Sequence, residues 1–195
     1  QDPKPISSPD WRAICTPKGA AQLVPTHALA EAMAQEWRAQ GEEIDPALFR
    51  YRDMADYAID VAGPDRGALV YQLLGYAQTD TLCYRADPDE ALYRRQLEEW
   101  EPLLTAFEAR EGVRLERVSG VLHKAQPPAT IERLRARLEM LDPFALASVN
   151  TMASLAASLS IALSALDEAA DPGTLWQAAC LEELWQAELW GREEQ

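Results

Sequence analysis

The chain has 195 residues, 48% of them apolar, and a formal net charge of −14 from 32 acidic and 18 basic side chains. That length supports one large or two small domains with a proper core, and the apolar share excludes a disordered chain. The acidic balance argues against nucleic acid and anionic membrane as partners, because their phosphates are repelled by such a surface.

The same charge identifies no cationic partner, since a solvated acidic face gives an equal balance. Cys15, Cys83 and Cys180 are odd in number, far apart and without a C-x-x-C pair. They point to a reducing compartment rather than a disulfide framework. His27 and His123 lack metal-ligand spacing, so no metal and no cofactor is expected. The sequence begins at Gln1 rather than Met, which reads as a true start that is missing or removed, and no signal peptide is visible.

In chain order, residues 1–25 are Pro-rich and poorly periodic. Short extended pieces are expected at Trp11–Cys15 and Gln22–Val24, with a turn at Pro17-Lys18-Gly19. Thr26 is an N-cap for a helix with Leu29, Met33 and Trp37 on one face, ended by Gly41. Asp45-Pro46 opens another turn of helix, and Arg52–Val61 is helical again. Gly63-Pro64 breaks the chain, and Arg66–Leu74 forms a short helix stopped by Gly75.

Asp87-Pro88 places an N-cap before Pro at the first helical position, with Asp89 and Glu90 at the positive end of the dipole. That helix is expected to run to Arg110, with Gly112 closing it and Pro102 kinking it. Val113–Val118 alternates with period two and reads as a strand, Val113 and Leu115 on one face. Pro127-Pro128 starts a helix through Met140. From Pro143 to Leu166 there is no charged residue. The stretch is long enough to span a bilayer, but it holds many serines and alanines and has no flanking basic cluster. A buried central helix packed through small residues is the expectation. Asp171-Pro172 starts the last helix, through Trp190 and Gly191. Trp176, Leu184 and Trp190 cannot share one narrow stripe, which leaves two readings: a helix apolar on two sides, one for the core and one for a partner, or a helix whose three tryptophans, Trp176, Trp185 and Trp190, all belong to the core. The fold class that results is α+β: a small N-terminal β region, residues 1–25, and a helical domain over 26–195.

Catalytic signatures are absent. The sequence has no G-x-x-x-x-G-K-[ST], no G-x-G-x-x-G after a strand, no H-E-x-x-H and no G-x-S-x-G. One nucleophile constellation can be drawn from Cys83, His123 and Asp80, with Arg85 lowering the thiol pKa. Adjacent carboxylates such as Glu98/Glu99 and Glu182/Glu183 point about 100° apart on a helix and do not face each other across a cleft.

Five runs resemble one family. They are Thr16-Pro17 through Leu23-Val24-Pro25-Thr26 and on to Glu36-Trp37 and Gln40-Gly41; Tyr76-Ala77-Gln78-Thr79-Asp80-Thr81-Leu82-Cys83-Tyr84-Arg85; Ala125-Gln126-Pro127-Pro128; Leu141-Asp142-Pro143-Phe144; and Leu181 through Gly191. In this order they resemble the assembly chaperones of the F(1) sector of ATP synthase, specifically the branch that binds the α subunit. Each run alone is weak, and together they cover nearly the whole chain from Thr16. Gln78 departs from the family's usual Glu, and the region before Thr16 is short beside the family's N-terminal β domain.

The resemblance implies a chaperone, not an enzyme. It would bind the free α subunit and cover its apolar interface until the β subunit replaces it. It implies no small-molecule substrate and no stable membrane insertion. The mitochondrial relatives act in the matrix and carry targeting segments not found here, so a bacterial cytoplasmic location is expected. The resemblance directs attention to the last helix. Glu183 is the expected charged contact to a basic group on the client, with Glu182, Gln186, Trp185 and Trp190 as further partner-binding residues. Asp80 and Arg85 are expected to order the loop after Gly75. The competing reading is an uncharacterised soluble enzyme using Cys83 or clustered carboxylates.

Overall fold

The computed structural model describes residues 14–120 and 123–191. Nine α-helices occur among them: α1 His27–Arg38, α2 Arg50–Tyr57, α3 Arg66–Gln78, α4 Ala91–Glu111, α5 Pro128–Glu139, α6 Pro143–Ala156, α7 Leu159–Ser164, α8 Pro172–Ala179 and α9 Leu181–Trp190. A two-stranded parallel sheet pairs β1, Tyr84–Arg85, with β2, Val118–Ser119. The protein is therefore mostly helical with a minor β part, and the sheet lies in the middle of the chain.

The described residues form two compact units. One takes in the chain to Gly67 together with Leu141–Ser148; the other takes in Ala68–Met140 and Val149 onward. The first unit therefore holds residues on both sides of Pro25.

In the first unit, Gly19 adopts φ +85° at the expected turn, and Cys15 and Ala21 form a single antiparallel bridge around it. Trp11 lies outside the described residues. Thr26 caps α1 by accepting from the Leu29 N–H at 3.2 Å. Asp45 caps the one-turn 3-10 helix Pro46–Leu48 in the same way. From Ala58 to Ala62 the coil widens to a π-turn that continues α2. Asp56 and Asp60, both buried there, hold the N-terminal turn: Thr16 Oγ1 donates to Asp60 at 2.7 Å, and Gln22 Nε2 donates to Asp56 at 2.6 Å. Trp37 packs on Phe49 at a centroid distance of 4.6 Å, and Arg52 covers the Phe49 ring.

Five expectations about elements are corrected. First, Gly75 does not stop α3, which continues to Gln78 because Leu74 and Ala77 keep its inner face buried. Second, Asp87-Pro88 forms a turn closed by the Glu90 N–H on the Asp87 carbonyl, and α4 begins only at Ala91. Its far end behaves as expected: Gly112 sits at φ +66° and closes α4.

Third, residues 113–117 are not a strand. Their backbone N–H groups find partners other than a ladder: Val113 N–H donates to the Glu108 carbonyl at 3.1 Å, Leu115 N–H to the Glu108 side chain at 2.7 Å, and Glu116 N–H to the Gln126 side chain at 2.8 Å. Only Val118–Ser119 pair, and Leu115 is buried as the alternation required.

Fourth, the charge-free segment is two helices rather than one. Ala157, at φ +47°, ends α6, and Ser158 caps α7 by accepting from the Ile161 N–H. Asp80 forces this break. Its carboxylate accepts from Ser158 Oγ at 2.8 Å, Ser160 N–H at 2.8 Å, Ser160 Oγ at 3.0 Å and Leu82 N–H at 3.2 Å. Among the described residues no helix is long and apolar enough to cross a membrane.

Fifth, the last helix divides at Cys180 into α8 and α9. Trp176 therefore sits on a different helix from Trp185 and Trp190.

Candidate partner-binding face

The second unit is organised around α4. Trp100 is fully buried, and its indole N–H donates to the Ala178 carbonyl at 2.8 Å, which fixes α8 on α4. Gln96, one turn earlier and also fully buried, uses every polar atom of its side chain. Its Oε1 accepts from the Ala86 N–H at 2.8 Å, and its Nε2 donates to Glu182 at 2.8 Å. Arg85 completes the joint, donating to the Gln96 carbonyl at 2.9 Å and to Glu101 at 3.0 Å while lying over the Trp100 ring. Asp80 and Arg85 thus order the segment after α3, as the sequence suggested.

This scaffold separates the two neighbouring glutamates of α9. Glu182 faces α4; partial burial pushes its carboxyl above the usual range, against the opposing effect of the Gln96 amide, and the Glu183 charge adds to the rise. Glu183, about 100° further round the helix, is exposed and has no hydrogen-bond or ion-pair partner among the described residues. Gln186 and Trp190 follow at helical spacing on the Glu183 side, and both are exposed, Trp190 by 78%. Trp185 is half-buried and turns to the other side. With Arg95, Glu99, Gln177, Leu184 and Glu188 it lines a groove of about 220 Å³. Leu189 and Trp176 are exposed by 57% and 54%. α8 and α9 thus expose Trp176, Leu189 and Trp190, and α9 carries two exposed carboxylates, Glu183 and Glu188, without a hydrogen-bond or ion-pair partner among the described residues. Of the five expected residues, Glu183, Gln186 and Trp190 share one stripe, Trp185 lies in the groove, and Glu182 is tied to α4. The tie through Gln96 was not readable in the sequence, because nothing local relates two residues 86 positions apart.

The Cys83 constellation does not assemble. Cys83 is fully buried, and burial together with the nearby Asp80 charge pushes its thiol far above the usual range, outweighing Arg117 and Arg85. A buried neutral thiol is a poor nucleophile. The His123 ring is engaged by the Tyr84 hydroxyl at 2.9 Å. An alkylation experiment checks this: with iodoacetamide under native conditions Cys15 and Cys180 should be modified, and Cys83 only after unfolding. Modification of Cys83 at a rate comparable to Cys15 would contradict its burial. No group of three or more His, Cys, Asp or Glu suited to a metal ion occurs among the described residues.

A helical scaffold that exposes large apolar side chains beside unpaired carboxylates has the surface features of a protein-binding protein. The family model described as ATP12 chaperone protein matches residues 9–108. The fold superimposes on a point mutant of Paracoccus denitrificans Atp12p with a TM-score of 0.89 and 36% identity, covering 94% of this chain and 79% of that one. It superimposes on the Agrobacterium tumefaciens protein Atu1473 with a TM-score of 0.89 and 35% identity, covering 95% and 69%. The mitochondrial atp12 protein of Schizosaccharomyces pombe is 27% identical over 93% of this chain and 67% of its own length. The chain belongs to the ATP12 chaperone family, whose members serve ATP synthase assembly. Gln78 has a local role: its side-chain carbonyl accepts from the Gln126 N–H at 3.0 Å.

Proposed function

We propose that the chain binds the free α subunit of the F(1) sector through the outer face of α9 and holds it until the β subunit takes its place. The observation that supports this reading is the unpaired, exposed Glu183 on one stripe of α9 with the exposed Gln186 and Trp190. An unassembled subunit exposes an apolar patch that would otherwise aggregate, and oligomer interfaces resemble a core. Trp and Leu on α9 supply apolar contact area, while Glu183 supplies a charge-assisted contact to a basic client group. A shield that binds the α subunit less tightly than the β subunit does is displaced as the β subunit arrives. The net charge of −14 fits a bacterial cytoplasmic protein with no nucleic-acid partner.

The test is a pull-down of folded α subunit by the purified chain, with β subunit as competitor. Capture of α that is lost on adding β is the expected result. No capture of α shown to be folded would overturn the client assignment.

A further inference from the structure

The end of α4 and the face of α5 carry a cluster that the α9 reading does not use. Glu111, the last residue of α4, is 7% exposed, and three guanidinium groups surround it. Arg110 Nε donates to its carboxylate at 3.1 Å, Arg137 Nε lies 3.4 Å from the other oxygen, and Arg133 Nε donates to its backbone carbonyl at 3.2 Å. In all three arginines it is the inner nitrogen that is engaged, which leaves each terminal fork to be accounted for. Arg110 directs its fork to Ser164 Oγ at 3.0 Å and toward Asp167 at 3.9 Å. The terminal nitrogens of Arg133 and Arg137 have no partner among the described residues.

These two arginines are four residues apart on α5, about 6 Å along the axis, and so lie on one face. A groove of about 350 Å³ runs there, walled by Ala136 and by Met140, which is 81% exposed. A guanidinium held by its inner nitrogen presents a flat pair of donors whose geometry matches a carboxylate. Because Glu111 already holds both side chains, little rotamer entropy remains to be lost on binding. Three guanidinium groups against two carboxylates, Glu111 beneath them and Asp167 beside Arg110, leave one positive charge in excess in a chain that is otherwise strongly acidic. The chain's overall negative charge repels extended polyanions such as nucleic acid or an anionic bilayer. A short segment engages the arginines at contact distance, where screening is weakest.

We propose that this groove is a second docking site, for a short acidic segment of a client protein. Two carboxylates of the segment engage the forks of Arg133 and Arg137, and an apolar residue beside them rests on Met140. The proposal does not depend on the α9 reading.

The experiment is fluorescence anisotropy on the full chain, using a labelled nonapeptide that repeats Glu-Glu-Leu and a Gln-Gln-Leu peptide as control. Saturable binding of the acidic peptide is expected, at least tenfold tighter than the control. Arg133→Gln and Arg137→Gln should each weaken it about tenfold; both lower the melting temperature, since each arginine holds Glu111, but remain folded at the assay temperature. Equal binding by these folded variants, or by the control peptide, would overturn the site. Displacement of the peptide by low-millimolar inorganic phosphate would overturn the peptide assignment in favour of a small-anion site. Should a variant fail to fold, the Nε–Hε resonances of Arg133 and Arg137 in the parent decide the matter. Their shift on adding the acidic peptide supports the site, and unmoved resonances sink it.

Discussion

Replacing Asp80 by alanine is expected to lower the unfolding free energy by about 2–4 kcal/mol, because it leaves two buried backbone N–H groups without acceptors at about 1–3 kcal/mol each. Those groups belong to Leu82 and Ser160, and the hydroxyls of Ser158 and Ser160 lose the same acceptor. The gain from no longer burying a carboxylate offsets part of the loss. Denaturant midpoints of the two proteins measure the difference, and a loss below about 0.5 kcal/mol would show that surrounding groups re-pair.

A pH signature separates this carboxylate from an ordinary salt-bridged one. Burial raises the Asp80 pKa above its ordinary 3.8, in spite of the four donors that oppose the rise. The native state therefore takes up this proton at a higher pH than the unfolded chain. The ionised group costs stability at neutral pH, and that cost is relieved as pH falls through the raised native value toward the unfolded one. Asp80→Asn cannot gain this relief, so its deficit relative to the parent should widen between neutral pH and about pH 4. A deficit that narrows would mean that the donors, not burial, set the pKa.

Asp80 also shows where sequence reasoning succeeds and stops. Caps were legible because their chemistry is local: Thr26, Asp45-Pro46 and Asp171-Pro172 each satisfy a first-turn N–H two or three residues on, and Gly112 supplies the left-handed residue that ends α4. Breaks imposed from a distance were not legible. Ala157 carries no turn chemistry of its own, and α6 ends there because a carboxylate nearly 80 residues earlier captures Ser158 and Ser160. Cys180 divides α8 from α9 with neither Gly nor Pro nearby, while Gly75 and Asp87-Pro88 look like boundaries and are overridden by burial and by a turn. The alternation at 113–118 was real, but Glu108 and Gln126 supply the acceptors that a neighbouring strand would have given.

The site follows the same division. The tryptophans and glutamates of α9 stand out in the sequence. What distinguishes Glu182 from Glu183 is Gln96, on another helix. The arginines around Glu111 come from two helices, and no spacing rule connects Arg110 with Arg133 and Arg137.

Glu183→Lys is expected to leave the fold intact and to weaken capture of the client by thirtyfold or more. Glu183 is exposed and unpaired among the described residues, so reversing its charge should cost stability no more than about 0.5 kcal/mol, chiefly through the lost attraction to the α9 dipole. At an interface the same change removes a charge-assisted contact and opposes two cations, together roughly 2 kcal/mol or more. Glu182 behaves differently, since its carboxylate holds α9 to α4 through Gln96. Glu182→Ala should therefore shift the melting temperature as well as binding, whereas Glu183→Gln should reduce binding alone, by less than the lysine variant. The measurement is a pair of titrations against folded α subunit with a thermal melt of each variant. Normal capture by Glu183→Lys would remove Glu183 from the interface. Loss of folding in that variant would make it a structural residue, and the client would then have to be sought on another face.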